Sequence, residues 1–451
     1  MSKRYWLEIY GCQMNFAEGY ALENELEKRG WEAAERPEEA DVAVLHTCSV
    51  RQTAENRIWG RIGFFKHLKQ SRAQKLVVMG CMAERLKEDI RKREPAVDMV
   101  VGNFAKNKLA EMLTELEEGT AGEGTAGNAK REFDYFEEGP LEFQEDHLHG
   151  GDFHAYVPIM HGCDNFCTYC IVPYVRGREV SRAPEKIIEE IHHLEQRGVR
   201  EISLLGQNVN SYFYTDPDGN GQGSLNFPAL LKLVLKETDS LEWIRFITSH
   251  PKDVDPELID LIAGEERLCS HLHLPVQHGS STVLKRMNRK YSREDYEKLV
   301  AAMRSSIRDL SLTTDIMIGF PGETEKDFKE TLELMEEIRF DDAFMYYFNP
   351  REGTPAAAFD DQIPKSLKLE RLAELIEVQK KISREKRLER IGRIEKVLAE
   401  SVSKKNRKEL LGRTERDKSV VFPAPVEGIG KFFHIKLEGL NGNTYRGSVQ
   451  A

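Results

Sequence analysis

Residues 161–170 read HGCDNFCTYC and follow directly on the apolar run AYVPIM at 155–160. Cys163, Cys167 and Cys170 are thus spaced C-x3-C-x2-C in a loop that begins where a strand-like run ends. Five more such runs follow: REISLLG (200–206), EWIRFIT (242–248), HLHLPV (271–276), LTTDIMIGF (312–320) and DAFMYYF (342–348). Helical patterns separate them, among them PEKIIEEIHHLEQRG (184–198) and EKDFKETLELMEEI (325–338). Six strand–helix units of this kind imply an incomplete α/β barrel, and such barrels place their active sites in the loops at the C-terminal ends of the strands. The three thiols lie in the first of those loops.

A structural zinc site takes four ligands, usually from paired cysteines. This spacing does not give two pairs, and a zinc site here would need His161 or Asp164 as its fourth ligand. A 4Fe-4S cluster accounts for three thiolates directly. It has four irons, so three cysteines leave one iron open to a substrate.

The N-terminal third repeats the logic. RYWLEIY, DVAVLHT and KLVVMG are apolar runs, each followed by a helical pattern, and alternation of this kind argues for a parallel sheet covered by helices. Cys12, Cys48 and Cys81 each stand just past one of these runs. Parallel strands end along one edge, so three cysteines far apart in the chain are expected to converge there. A disulfide cannot pair three thiols, and zinc again lacks a fourth ligand. A second iron–sulfur cluster with an open iron is the economical reading, against three unrelated buried thiols. Cys269, just before HLHLPV, has no partner at ligand spacing and reads as a packed thiol.

The seven cysteines belong to a 451-residue chain with no apolar run approaching the roughly 18 residues of a membrane span. No secretory signal is visible at the N-terminus, so a cytoplasmic protein with reduced thiols is expected. The formal charge of −11 is unevenly spread. Residues 381–451 carry 17 Lys and Arg against 9 Asp and Glu, a net +8, which leaves −19 on the first 380. A basic tail on an acidic body suits an appended polyanion-binding module, or else a solvated basic face. EGTAG occurs twice in succession at 118–127, ahead of an acidic stretch, and reads as a flexible linker. From about residue 392, short β-like runs with Gly turns (RIEKVLAES, ELLGRTER, SVVFPA, FFHIKLEGL, TYRGSVQ) suggest a small five-stranded OB-like barrel.

Weaker signals cluster at the mouth of the central barrel. LLGQNVNSY, ITSH and the run HLHLPVQH end strands there and offer Gln207, Asn208, Thr248, Ser249 and Gln277 as polar contacts, each equally able to serve as a turn or cap. His271 and His273 share a strand face but have no third ligand in view. In GFPGET, Thr324 and Asp327 are spaced as a capping box. Arg176, Arg178 and Arg182 can pair with carboxylates or phosphates. Lys404, Lys405, Arg407 and Lys408 lie between the first two strands of the tail, where barrels of this size often meet single-stranded nucleic acid.

YGCQMN (10–15), HTCSVR (46–51), GCMAER (80–85), CDNFCTYCIVPYVRGRE (163–179), LLGQNVNSY (204–212) and GFPGET (319–324) together resemble the methylthiotransferase family of radical S-adenosylmethionine enzymes. The resemblance implies an N-terminal methylthiotransferase domain over 1–117, a linker over 118–149, a radical S-adenosylmethionine barrel over 150–383 and an RNA-binding TRAM domain over 384–451. It implies two 4Fe-4S clusters, an auxiliary one on Cys12, Cys48 and Cys81 and a radical-forming one on Cys163, Cys167 and Cys170. S-adenosylmethionine would be both methyl donor and radical source, held near Gln207, Asn208, Thr248, Ser249 and Gln277. Gln13, Met14 and Asn15, with Ser49, Val50 and Arg51, are similar to the branch that adds a methylthio group to carbon 2 of N6-isopentenyladenosine beside the tRNA anticodon. Sister branches acting on threonylcarbamoyladenosine in tRNA or on a ribosomal protein side chain are the alternatives, and a zinc-stabilised RNA-binding protein without catalysis is the alternative of another class. His46 stands where this family is expected to carry Asn. The implied partners are a tRNA anticodon stem-loop, docked in part by Lys404, Lys405, Arg407 and Lys408, and a reductant such as a flavodoxin or ferredoxin. An iron–sulfur carrier for sulfur resupply, no membrane and a monomeric state complete the expectation.

Overall fold

The computed structural model describes residues 3–49, 52–118, 134–135, 142–149, 152–216 and 223–450. Val50, Arg51 and most of the expected linker lie outside them. The chain forms two compact units, Met1–Asp164 with Cys170–Arg197, and Asn165–Tyr169 with Gly198–Ala451.

In the first unit, β1 (Arg4–Ile9), α1 (Gln13–Lys28), β2 (Glu32–Ala33), β3 (Val42–Thr47), α2 (Gln52–Leu68), β4 (Lys75–Gly80), α3 (Cys81–Leu86), α4 (Asp89–Arg93), β5 (Met99–Val101), α5 (Leu109–Glu118) and β6 (Asp134–Tyr135) follow one another. The six strands form a parallel sheet in the order β2-β1-β3-β4-β5-β6. Strands buried on both faces read as continuous apolar runs, and β3 is buried throughout. Alternate residues serve opposite faces. Val42, Val44, Val77 and Met79 pack with Leu22 and Leu26 of α1 and with Leu109 and Leu113 of α5. Ala43, Leu45, Leu76 and Val78 pack with Ile58, Ile62 and Phe65 of α2 and Met82 of α3. The same unit holds β7 (His154–Pro158), β8 (Met160–His161), α6 (Val172–Arg176), β9 (Val180–Ser181) and α7 (Pro184–Gln196).

The second unit carries the other five of the six expected barrel strands. It runs through β10 (Glu201–Leu205), β11 (Phe213–Tyr214), β12 (Leu225–Asn226), α8 (Phe227–Glu237), β13 (Trp243–Ile247), α9 (Pro256–Gly264), β14 (His271–His273), α10 (Ser281–Arg286), α11 (Arg293–Ser306), β15 (Ser311–Ile318), α12 (Glu325–Ile338), β16 (Asp342–Tyr347) and α13 (Lys365–Leu388). β10 pairs in parallel with β13, and β14, β15 and β16 pair in parallel in that order. A parallel bridge from Ile244 to Leu268 joins β13 to the segment leading into β14. The expected barrel–tail boundary at 383/384 falls within α13, whose helical turns continue to Leu388.

After α13 come β17 (Ile394–Val402), β18 (Glu409–Thr414), β19 (Ser419–Pro423), β20 (Phe432–Asn441) and β21 (Thr444–Val449), closed into a barrel in the order β17-β18-β19-β21-β20. Closure leaves no open sheet edge. Val397, Leu410, Val420, Phe422, Ile435, Leu437 and Tyr445 fill it.

Candidate active site

Cys12, Cys48 and Cys81 follow β1, β3 and β4, which lie side by side. Register places the three strand ends level: Ile9 opposes His46, and Thr47 opposes Gly80. The approach is close. Gly11 has φ +124°, and a Cβ there would stand 2.8 Å from the Cys48 Cβ and 3.1 Å from its Sγ. A side chain at residue 11 would therefore occupy the space beside the thiol. Asn103 Nδ2 donates to the Cys81 Sγ at 3.5 Å and to the Val175 carbonyl at 2.6 Å. Cys81 also packs with Ile171 and Val175. Desolvation raises the Cys12 thiol, opposed by the Arg176 guanidinium.

A buried ionic network backs these thiols. Glu18, on α1, accepts from Arg176 Nη1 at 2.7 Å and Nη2 at 3.1 Å, and from Lys106 Nζ. Arg176 Nη2 also donates to Asn15 Oδ1 at 2.8 Å. His46 Nε2 lies 3.3 Å from Glu18 Oε2, so the position expected to be Asn is part of this network. Burial keeps the imidazoles of His46 and His161 below their ordinary range, and Glu18 is held well below its own by Arg176 and Lys106 despite desolvation. Arg182 and His147 close on Glu190 in the same way, with His147 Nδ1 2.6 Å from Oε1. Arg178 alone of the three arginines is exposed, bound to Asp164 at 2.6 Å. The carboxylate reading thus holds for all three, and for Arg176 and Arg182 in buried settings.

The C-x3-C-x2-C loop is entered through Gly162, whose φ is +78° and where a Cβ would fall 2.0 Å from the Arg178 carbonyl oxygen. The Cys163 N–H donates to the Gly177 carbonyl at 3.2 Å, so the loop returns on itself. Cys167 is buried, and Arg289 Nη1 donates to its Sγ at 3.6 Å while Nη2 donates to the Pro275 carbonyl at 2.8 Å. The Arg289 guanidinium lies over the Tyr291 ring, 5.1 Å from its centroid. Asn288 Nδ2 donates to the Phe166 carbonyl at 2.9 Å, which steadies the residue before Cys167. Among the described residues no three His, Cys, Asp or Glu side chains close around a single-ion position. Thiolates on separate corners of a four-iron cube stand farther apart than the ligands of one ion.

At the barrel mouth, Gln207 follows β10 and its Oε1 is buried without a hydrogen-bond partner among the described residues. An orphaned buried acceptor of this kind suits a polar ligand. Asn208 is committed within the loops: Nδ2 donates to Asp253 Oδ2 at 2.7 Å, and Oδ1 accepts from the His250 N–H at 3.1 Å. The Thr248 carbonyl accepts from the Val209 N–H at 2.9 Å, and Ser249 is buried after β13. Gln277 has φ +71°, and its backbone bonds both Asp315 and Met317 of β15. His271 Nε2 and His273 Nδ1 both lie 3.1 Å from the Thr313 hydroxyl. Thr324 and Asp327 form the expected capping box of α12. Glu323, beside them, is fully buried and accepts from Gly319 N at 2.6 Å and Arg371 Nη1 at 2.7 Å. Cys269 is buried and its thiol is pushed up to about 12, chiefly by burial, which agrees with a packed thiol.

Lys404, Lys405, Arg407 and Lys408 are exposed in the loop between β17 and β18, and none forms an ion pair among the described residues. Most other cations of the tail are engaged. Arg416 reaches Asp341, Arg387 and Lys418 reach Asp342, Arg413 reaches Glu201, and Lys396 reaches Glu242. Part of the basic excess therefore pairs with acidic barrel residues, a use that the charge count did not separate. Glu18, Lys106, Asn103 and Arg289 were not singled out from the sequence, because each joins the site only through tertiary contact.

A model of the Radical SAM superfamily matches residues 157–335, and one of the uncharacterized protein family UPF0004 matches residues 4–102. A tRNA-2-methylthio-N(6)-dimethylallyladenosine synthase of Treponema denticola is 48% identical, with 99% of each chain covered. The chain belongs to that synthase family. Relatives of the same name in Treponema pallidum and Clostridium botulinum are 45% and 42% identical, covering 98% and 96% of this chain and 98% and 94% of their own. Among solved structures, the radical S-adenosylmethionine methyltransferase TsrM from Kitasatospora setae, with cobalamin and a 4Fe-4S cluster bound, aligns with a TM-score of 0.55 at 15% identity, over 79% of this chain and 77% of its own. The cobalamin-dependent radical enzyme OxsB aligns with a TM-score of 0.51 at 13% identity, over 84% and 56%. These two likenesses concern the fold alone.

Proposed function

We propose that this chain is a radical S-adenosylmethionine methylthiotransferase that adds a methylthio group to carbon 2 of N6-isopentenyladenosine next to the anticodon of tRNA. The observation that carries the reading is the convergence of Cys12, Cys48 and Cys81 at three level, adjacent strand ends, in a chain that also bears the C-x3-C-x2-C loop. Each triad leaves one position of a four-iron cluster open, and the thiol donors fit that group. The name carried by relatives at 42–48% identity over nearly the whole chain supports the substrate.

The C2–H bond of adenine is neither acidic nor activated, so side-chain acid–base chemistry has no purchase on it. Cys163, Cys167 and Cys170 would hold the radical-forming 4Fe-4S cluster and Cys12, Cys48 and Cys81 the auxiliary one; when bound with S-adenosylmethionine, these groups supply the carbon radical, the sulfur and the methyl group. The protein binds, orients and excludes water. Gln207 would present its orphaned carbonyl oxygen to S-adenosylmethionine, with Thr248, Ser249 and Gln277 at neighbouring strand ends and Asn208 holding the 248–253 segment in place. Arg289 donates to the Cys167 sulfur and fixes its position. The exposed cations of the β17–β18 loop would meet RNA phosphates. We further assign residues 1–117, 118–149, 150–383 and 384–451 as the methylthiotransferase domain, linker, radical barrel and TRAM domain. A reductant protein would supply electrons, an iron–sulfur carrier would replace sulfur, and the enzyme would work as a cytoplasmic monomer; no helix among the described residues is long and apolar enough to cross a membrane.

The test is nucleoside analysis of tRNA from a strain lacking the protein. The methylthio derivative of isopentenyladenosine should vanish and isopentenyladenosine accumulate. An unchanged nucleoside pattern would overturn the substrate assignment.

A further inference from the structure

Arg176 is the last residue of α6, the short helix that begins two residues after Cys170. The segment is tied to the N-terminal cysteines at three points. Ile171 and Val175 pack on Cys81, the Val175 carbonyl shares Asn103 Nδ2 with the Cys81 sulfur, and Arg176 enters the Glu18 network behind Cys12. Asn15, which accepts from Arg176, also anchors the start of α1, donating through Nδ2 to the carbonyls of Tyr10 at 2.7 Å and Thr47 at 3.0 Å. Those are the residues two before Cys12 and one before Cys48. The guanidinium is thus linked through one amide to the strand ends that present two of the thiols.

The charges of this network do not cancel. Two cations, Arg176 and Lys106, face one carboxylate, Glu18, with His46 and His161 beside them. A net positive charge remains, in a pocket where all five side chains are buried and screening by water is weak. Its natural counterpart is negative charge on the adjacent sulfurs. The chemistry of the network is therefore that of a fixed counter-charge.

We infer that Arg176 is a positioning residue of the auxiliary site, whose fixed positive charge raises the reduction potential of the group held by Cys12, Cys48 and Cys81 and whose bond to Asn15 sets the strand ends that present them. The inference rests on the assignment of those cysteines as the auxiliary ligands. Burial and hydrogen bonding to the ligand sulfurs, together with net charge, are the levers by which a protein tunes an iron–sulfur centre. Removing a positive charge beside such a centre disfavours the added electron, and removing a negative charge favours it.

The full-length chain with Cys163, Cys167 and Cys170 all changed to Ala, reconstituted with iron and sulfide, isolates the auxiliary site for potentiometric titration followed by electron paramagnetic resonance. In that chain Arg176→Gln should lower the midpoint potential by at least a tenfold change in the one-electron equilibrium, about 59 mV. Arg176→Lys should restore most of it, and Glu18→Gln should shift it upward. Arg176→Gln and Glu18→Gln break the same ion pair, so a purely structural role would move both in one direction. Like-signed shifts, or none, would overturn the inference. If Arg176→Gln fails to hold iron, the Arg176→Lys and Glu18→Gln pair decides: the Lys variant must match the parent and the Gln variant must rise. The ligand assignment has its own control. In the otherwise unaltered chain, changing Cys12, Cys48 and Cys81 to Ala should remove about half of the roughly eight irons that two clusters require. Full retention of iron would refute that assignment, whatever the potentials show.

Discussion

Replacing Asp341 by Asn should release the turn that anchors the small C-terminal barrel to the larger one. Asp341 Oδ2 accepts from Lys386 Nζ at 2.6 Å and from the Leu312 N–H at 3.1 Å, and Oδ1 accepts from Arg416 Nη2 at 2.9 Å. Arg416 lies in the β18–β19 turn, whose neighbours are also engaged: Glu415 accepts from Ser270, and Arg245 donates to the Thr414 and Glu415 carbonyls. Removing one partner of a buried ion pair costs about 3–5 kcal/mol because the other charge is left uncompensated. Lys386 keeps 18% side-chain exposure and can reach water, so the lower end, about 3 kcal/mol, applies. At 1.4 kcal/mol per tenfold, that is a roughly hundredfold rise in local opening. Hydrogen exchange read by mass spectrometry over 413–418 measures it. The turn's own bonds, Thr414 N–H to Lys418 O at 2.9 Å and Asp417 N–H to Thr414 O at 3.0 Å, give it amides to protect. The cations hold the Asp341 carboxyl below its ordinary range despite desolvation. Its contribution is therefore present at pH values above the unfolded carboxylate range, about 3.9, and is lost as pH falls through the lower folded value. Exchange in the variant within threefold of the parent at neutral pH would refute the anchoring role.

Single Ala substitutions at Cys163, Cys167 or Cys170 should abolish reductive cleavage of S-adenosylmethionine, whereas those at Cys12, Cys48 or Cys81 should keep uncoupled cleavage but yield no methylthio product, both read by chromatography of the reaction. Changing Lys404, Lys405, Arg407 and Lys408 to neutral residues should weaken tRNA binding and flatten its salt dependence by up to about 0.7–0.9 per lost phosphate contact; an unchanged slope in titrations at several salt concentrations would leave those residues as a solvated turn. Glu190→Gln should destabilise the first unit by about 3 kcal/mol in thermal unfolding, since Arg182 and His147 lose their shared carboxylate. Because those two partners hold Glu190 at about 2 against desolvation, its contribution should persist down to about pH 4.5 and fade between there and pH 2, and a parent and variant that lose stability in parallel over that window would contradict it.

The elements that the sequence made legible are those whose signal is local. A continuous apolar run with a cysteine one to three residues past its end reveals a strand and places that cysteine at its C-terminal edge, because parallel topology then does the rest. That is why Cys12, Cys48 and Cys81 could be grouped without any spacing motif among them. The capping box at Thr324 and the five strands of the small barrel were readable for the same reason. Glu18 illustrates what is not local. It stands six residues past Cys12 on a helix, where Glu is an ordinary surface choice, and its burial depends on Arg176 arriving from α6, 158 residues away. The charge of the tail shows the same limit from the other side. Counting cations correctly marked a basic module, but Arg413, Arg416 and Lys418 meet Glu201, Asp341 and Asp342 of the barrel, and only pairing in three dimensions separates them from Lys404, Lys405, Arg407 and Lys408. A formal charge is a property of composition, whereas the charge a polyanion meets is what remains after internal partners are satisfied. The four cations between β17 and β18 are the densest part of what remains of the +8. A polyanion approaching this loop would meet a small, concentrated cationic patch, and at a Debye length of about 8 Å that local charge, rather than the net charge of −11, would govern the encounter.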